Sequence, residues 1–182
     1  MQKFCCIGVH GTGKTTLCYE MSYYYKKNGK NVKLVNEVAR SCPFGINEKF
    51  NPYSAMWIVH SHITQELNAI ARKGDLIISD RSPIDTIMYA QAMSCLVGHQ
   101  MKNLFKLADD WMETYDCIYY IRPDGTSAVP DGIRSTDESL RKRVEDCFDD
   151  WMEHCNMAIQ KKIKIIKSET IFTRPHCWLE VT

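Results

Sequence analysis

No two of the nine cysteines in this 182-residue chain are spaced as C-x-x-C, and their count is odd. That scatter excludes a zinc ribbon and a disulfide framework. The cysteines read instead as reduced thiols that pack as small apolar side chains in a reducing compartment. Long apolar runs are missing as well: none approaches the roughly 18 residues that a bilayer-spanning helix needs. A signal-peptide pattern is absent at the N-terminus, where a short apolar run leads straight into a glycine-rich turn. No membrane partner is expected, and the expected location is cytoplasmic. Excess charge of either sign is also absent. Lys plus Arg total 23 against 22 Asp plus Glu, a net charge of +1. That balance argues against a coating role on nucleic acid, although a local basic patch can sit inside a neutral total. With no internal repeat and no low-complexity segment, residues 1–182 are expected to form one domain.

What is present is an alternation of short apolar runs with helix-like segments. KFCCIGV (3–9), NVKLVN (31–36), DLIISD (75–80), DCIYYI (116–121) and KIKII (162–166) read as five strands, the last of them peripheral. Between them, Asn51 followed by Pro52 opens a long helix whose apolar positions recur at Val59, Ile63, Leu67 and Ile70. Ser82, Pro83 and Asp85 form an N-cap signature, Leu104, Leu107 and Trp111 mark a further helix, and Ser135 with Glu138 forms a capping box for the next. Nearly all-apolar strands separated by helices predict a doubly wound α/β domain with a mostly parallel five-stranded sheet buried on both faces. Residues 168–182 read as an irregular tail.

Gly8 to Thr15 matches G-x-x-x-x-G-K-[ST] at every fixed position, between a strand and a helix. Glycines let such a loop curl so that successive N–H groups face phosphate oxygens, and the following helix adds the positive end of its dipole. Gly8, His10, Gly11, Thr12, Gly13, Lys14, Thr15 and Thr16 are therefore expected to bind a nucleotide. In that arrangement Lys14 reaches the β- and γ-phosphates and the Thr15 hydroxyl ligates Mg²⁺. His10, at a free position of the motif, reads as loop filler rather than as a catalyst. Two further sequences are absent: the N-K-x-D guanine reader of GTPases and the L-S-G-G-Q signature of transporter ATPases. A phosphotransferase with a compact site remains.

Ligands of such folds sit beyond the carboxyl ends of the strands. Glu37 follows the second strand and Asp80 ends the third. Asp80 is placed to bind Mg²⁺, directly or through water. Glu37 is placed to accept a proton from an attacking hydroxyl or to hold the acceptor by hydrogen bonds. On sequence alone the two roles are not divided between them. Arg40 and Arg81 flank these acids, and the planar fork of Arg81 suits an acceptor phosphate or a base edge. Tyr53 and Trp57, near the start of the long helix, suit stacking on an acceptor base. His60 and His62, two apart on one helix, face apart and make a poor metal pair. The loop from Arg122 to about residue 136 resembles the lid of P-loop kinases. Arg134, between a Pro-Asp-Gly turn and a capped helix, is the residue placed to stabilise a transferring γ-phosphate when the lid closes.

Taken together, Gly8 to Thr15, ISDRSPIDT (78–86) and VPDGIRS (129–135) resemble the AAA-type small P-loop kinases over about residues 3 to 167, with the nicotinamide riboside kinase domain of the bacterial NAD regulator as the best pattern. Phage kinases of hydroxymethyl-pyrimidines in DNA look like neighbours, and the acid–arginine step after the third strand extends the likeness to deoxynucleoside and thymidylate kinases. The resemblance implies ATP as donor and a hydroxyl of a nucleoside- or nucleotide-type acceptor, free or within DNA. The acceptor-binding helices depart from the pattern, so the acceptor is not carried over. A nucleotide-binding regulator with slow hydrolysis is the alternative of a different class.

Overall fold

The computed structural model describes residues 1–46, 49–95, 98–123 and 137–181. Five strands, β1 (Gln2–Ile7), β2 (Val32–Val35), β3 (Leu76–Asp80), β4 (Cys117–Arg122) and β5 (Ile163–Lys167), form one sheet in the order β2-β3-β1-β4-β5. Every pairing is parallel. The chain leaves β1 towards β2 on one side and later crosses to β4 on the other. The loop after β1 therefore stands at the topological switch point, where ligands of open parallel sheets bind.

The helices α1 (Lys14–Lys27), α2 (Pro52–Ala71), α3 (Pro83–Ala92), α4 (Gly98–Met112), α5 (Glu138–His154), α6 (Met157–Gln160) and α7 (Ser168–Thr173) cover the sheet. Strand side chains alternate between two cores. Cys5, Ile7, Ile118 and Tyr120 pack against residues of α2, α3, α4 and α5. Phe4, Cys6, Tyr119 and Ile121 pack against α1, α7 and the C-terminal segment. All nine cysteines are free, and Cys5, Cys6, Cys18, Cys117, Cys155 and Cys177 are buried as small apolar side chains. No described helix is long and apolar enough to cross a membrane.

Three expectations are corrected. First, residues 168–181 are not an irregular tail: they form α7 and a 3₁₀ turn at Cys177–Glu180, with Trp178 fully buried and edge-on to Tyr24 of α1 at 5.9 Å. Second, α2 buries a polar face. Its inward residues are Ser54, Ala55, Ile58, Val59, His62, Glu66 and Ala69, whereas Leu67 and Ile70 are exposed. Glu66 draws that face inward by meeting donors from distant parts of the chain: Lys3 Nζ at 2.6 Å, Trp111 Nε1 at 2.6 Å and the Tyr115 hydroxyl at 2.7 Å, besides Ser79 Oγ and, within α2, His62 Nε2. The Lys3 ammonium also lies over the rings of Trp111 and Tyr115, at 4.4 and 4.1 Å from their centroids. Third, the cap of α5 is Asp137, whose Oδ1 accepts from Ser139 N and Leu140 N. Ser135 lies outside the described residues.

Candidate active site

The phosphate loop gets its shape from positions closed to other residues. Gly8 has φ +131°, and a Cβ there would stand 2.7 Å from the Ile121 carbonyl oxygen. Gly13, at φ +85°, caps α1 with no side chain of its own and lies beneath the Phe172 ring, 3.0 Å from where a Cβ would be. The first N–H groups of α1 are thus left facing the loop's mouth, as an anion site requires. From behind, Ser168 Oγ donates to Thr12 O at 3.1 Å, so α7 supports the loop. Lys14 is buried, and its Nζ donates to Val9 O and to Thr12 Oγ1 (3.2 Å). Burial, with the nearby Arg81 charge, pulls its ammonium down to about 7. Two of its three donors are used within the loop, and phosphate oxygens at the mouth would restore its charge.

Asp80 ends β3 beside this loop, and Thr15 Oγ1 donates to Asp80 Oδ2 at 2.6 Å. A hydroxyl and a carboxylate converging at one point are hard oxygen ligands, and they fit an octahedral cation completed by phosphate and water. Asp80→Asn is expected to move the Mg²⁺ titration of the reaction to higher concentration by about tenfold or more, because an amide oxygen is the poorer ligand for a hard cation. An unmoved titration curve would assign the metal to another group.

The next residue, Arg81, takes the left-handed backbone conformation at φ 79°, fixed by its N–H donating to Cys6 O at 3.0 Å. A non-glycine residue held there marks local strain of the kind stored at functional sites. The turn re-aims the side chain. Arg81 Nε donates to Glu37 Oε1 at 2.5 Å, and Nη1 lies 3.4 Å from both Gly8 O and Asp85 Oδ1. Arg40 Nε takes the other oxygen of Glu37 at 2.8 Å. Burial alone would raise the Glu37 carboxyl, but the Arg81 charge and both arginine hydrogen bonds outweigh it and hold it at about 2. Glu37 is therefore a carboxylate fixed in place, not a strong base.

His10, Gly11, Thr12, Gly13, Lys14, Thr15, Thr16, Glu37, Arg40, Asp80 and Arg81 line one cleft that opens to solvent. Gly8 lies beneath it, bonded to Asp85 and Arg81. His10 is more than filler: its backbone N–H donates to the Tyr89 hydroxyl at 2.9 Å, and Nδ1 lies 2.8 Å from the same oxygen. Tyr53 and Trp57 do not line the cleft; Tyr53 is 71% exposed. Their places are taken by Phe50 and Ile58. Arg134 and most of the 122–136 lid lie outside the described residues, while Arg122 pairs with Asp149 at 2.5 Å.

Asp85 and Tyr89 were missed as site residues. Asp85 reads in sequence only as a cap, a role it keeps through Ser82 N (2.9 Å) and Ser82 Oγ (3.0 Å), yet its other oxygen faces Gly8 and Arg81. Its position five residues after Asp80, in the first turn of α3, was the available signal. Burial pushes its carboxyl up, against the pull of Arg81 and Lys14.

A phosphate loop after the central strand of a parallel five-stranded sheet, with an acid at the end of the neighbouring strand, defines a P-loop NTPase fold of the nucleotide-kinase kind. The chain belongs to the AAA domain family, whose model matches residues 3–167. Its fold is similar to that of the NadR protein in complex with NR, at TM-score 0.66 and 22% identity, over 90% of this chain but only 45% of that one. It is also similar to deoxyadenosine kinase from M. mycoides with bound dATP, at TM-score 0.64 and 13% identity over 93% and 92% of the two chains. Thymidylate kinase from Ehrlichia chaffeensis gives TM-score 0.58 and 18% identity over 91% of each. No curated protein sequence matches.

Proposed function

We propose that this protein is an ATP-dependent phosphotransferase that moves the γ-phosphate to a hydroxyl of a nucleoside- or nucleotide-type acceptor. One observation carries the reading: the phosphate loop and the Glu37–Arg81 pair line the same cleft, so donor phosphates and an acceptor hydroxyl meet there. The likeness in fold to a protein bound to NR and to a deoxyadenosine kinase supports it. Lys14 and the loop N–H groups hold the β- and γ-phosphates. Thr15 and Asp80 would hold Mg²⁺, which would supply positive charge to offset that of the donor phosphates. Glu37 accepts a hydrogen bond from the attacking hydroxyl and aims its oxygen at the γ-phosphorus. The bond from the acceptor oxygen to the γ-phosphorus forms as the bond from the γ-phosphorus to the β,γ-bridging oxygen breaks, ADP departs with that oxygen, and the hydroxyl proton passes late to an oxygen of the transferred phosphoryl group. A transition state this loose asks little of a base, which suits a carboxylate held at about 2. Arg134 of the lid is assigned the closing contact on the γ-phosphate.

The test is transfer of label from γ-labelled ATP, with Mg²⁺, to nucleosides, nucleotides and hydroxymethyl-pyrimidine DNA. Label on an acceptor is expected, with Glu37→Gln lowering kcat by about a hundredfold, the order of one removed transition-state contact. Slow release of inorganic phosphate, unaffected by any acceptor, would replace the kinase by a nucleotide-binding regulator.

A further inference from the structure

We propose that the acceptor carries no phosphate of its own: the cleft beside the phosphate loop takes an uncharged, hydroxyl-bearing ring compound, a nucleoside rather than a nucleotide or a unit within DNA. This deepens the reading above and rests on it.

The argument is a charge count at the acceptor end. Among the described residues lining the cleft, the guanidinium groups are Arg40 and Arg81 and the acceptor-side carboxylates are Glu37 and Asp85. Asp80 is engaged by Thr15, and Lys14 serves the donor loop through Val9 and Thr12. Two positive charges therefore face two negative ones, and they are in contact. Glu37 bridges both arginines, at 2.5 and 2.8 Å, and Asp85 Oδ1 lies 3.4 Å from Arg81. The Arg81 pairs are also withdrawn from water, with side-chain exposures of 16% for Arg81, 14% for Glu37 and 2% for Asp85, while Arg40 at 38% is the outer member. An acceptor monophosphate would bring about −1.5 to −2 charges at neutral pH. Seating it would either strip Arg81 from Glu37 and strand that carboxylate, or set the phosphate on guanidinium groups whose charge Glu37 and Asp85 already neutralise, beside those carboxylates. Both are opposed by the cost of an unpaired buried charge. A hydroxyl meets neither obstacle, because an ionised carboxylate is an acceptor that a neutral O–H donor satisfies. Ile46, Phe50, Ile58 and Met93 add an apolar stretch of wall that offers a flat uncharged ring its contacts. A DNA-embedded base would bring flanking phosphates towards arginines already paired with carboxylates, where counterion release gains little.

The test compares thymidine, deoxycytidine, deoxyadenosine and deoxyguanosine with their 5′-monophosphates, both as acceptors of label from γ-labelled ATP and as ligands in calorimetry. At least one nucleoside is expected to exceed its monophosphate about a hundredfold in kcat/KM. Glu37→Gln, a nearly isosteric change that removes the carboxylate charge shared by the two guanidinium groups, is expected to gain about tenfold or more in affinity for the monophosphates while losing transfer to the nucleoside. Monophosphates phosphorylated as well as the nucleosides would leave the kinase reading standing and overturn this inference, and so would label retained only on a hydroxymethyl-uracil oligonucleotide. Monophosphate affinity that is equal in wild type and Glu37→Gln overturns the charge count whether or not any transfer occurs. Absence of transfer to every compound removes the kinase reading and this inference with it.

Discussion

Lys14→Ala is expected to abolish phosphoryl transfer, by about a thousandfold or more, while leaving the fold at least as stable as before. Its ammonium is the side-chain cation of the phosphate loop, and removing a preorganised charge that meets the γ-phosphate is among the costliest single changes in such a site. Stability moves the other way. The side chain is only 4% exposed, and burial has drawn its ammonium from 10.5 to about 7, so the folded protein without nucleotide holds that charge at a cost. Alanine removes the burdened group. The melting temperature without ATP should therefore be equal to or above that of the wild type, and the rise that ATP gives the wild type by mass action should vanish. Wild-type turnover in this variant would remove the kinase reading altogether.

Glu66→Ala is expected to be the most damaging substitution outside the site, lowering stability by about 3–5 kcal/mol, the range for breaking a buried ion pair. The carboxylate is completely buried and gathers five side chains, Lys3 and His62 among them. Without it the Lys3 ammonium is left between two aromatic rings with no counter-charge. The same group dictates an acid limb. Burial would raise its carboxyl, but His62 and Lys3 prevail and hold it at about 2, below the ordinary 4.5. A carboxyl lowered by folding stabilises fully above the unfolded value. That contribution, about 3 kcal/mol, drains away as pH falls from 4.5 towards 2. Urea midpoints at pH 7, 4.5 and 3 should show the loss in the wild type and a shallower one in Glu66→Gln. Parallel pH profiles would mean that Glu66 contributes no such linkage.

The sheet and the phosphate loop were legible because their signals are local. Short apolar runs between helices give a parallel sheet, and a spaced Gly-Lys-Thr between a strand and a helix admits little else. Glu37, Asp80 and Arg81 were legible for a related reason: residues at the carboxyl ends of neighbouring parallel strands must converge. The register Cys6 with Asp80 places the end of β3 beside the start of the loop. What escaped depends on partners distant in the chain. Periodicity favoured Ile63, Leu67 and Ile70 as the inner face of α2, but Glu66 is drawn inward by Lys3, Ser79, Trp111 and Tyr115, and no local pattern contains those donors. The same rotation of about 100° per residue carries Ile58 into the cleft and turns its neighbour Trp57 aside. Asp85 was hidden by a second duty, since a residue that explains a helix cap invites no further question.

The backing of the phosphate loop by α7 bears on how this domain can be recombined. The family match ends at residue 167, the last residue of β5. The hydroxyl that steadies Thr12 belongs to Ser168, the ring over Gly13 to Phe172, and the indole that closes the α1 side of the core to Trp178. A chimera with its crossover at Lys167 would transplant the nucleotide cradle and leave its underpinning behind. One that joins beyond Trp178 would carry both.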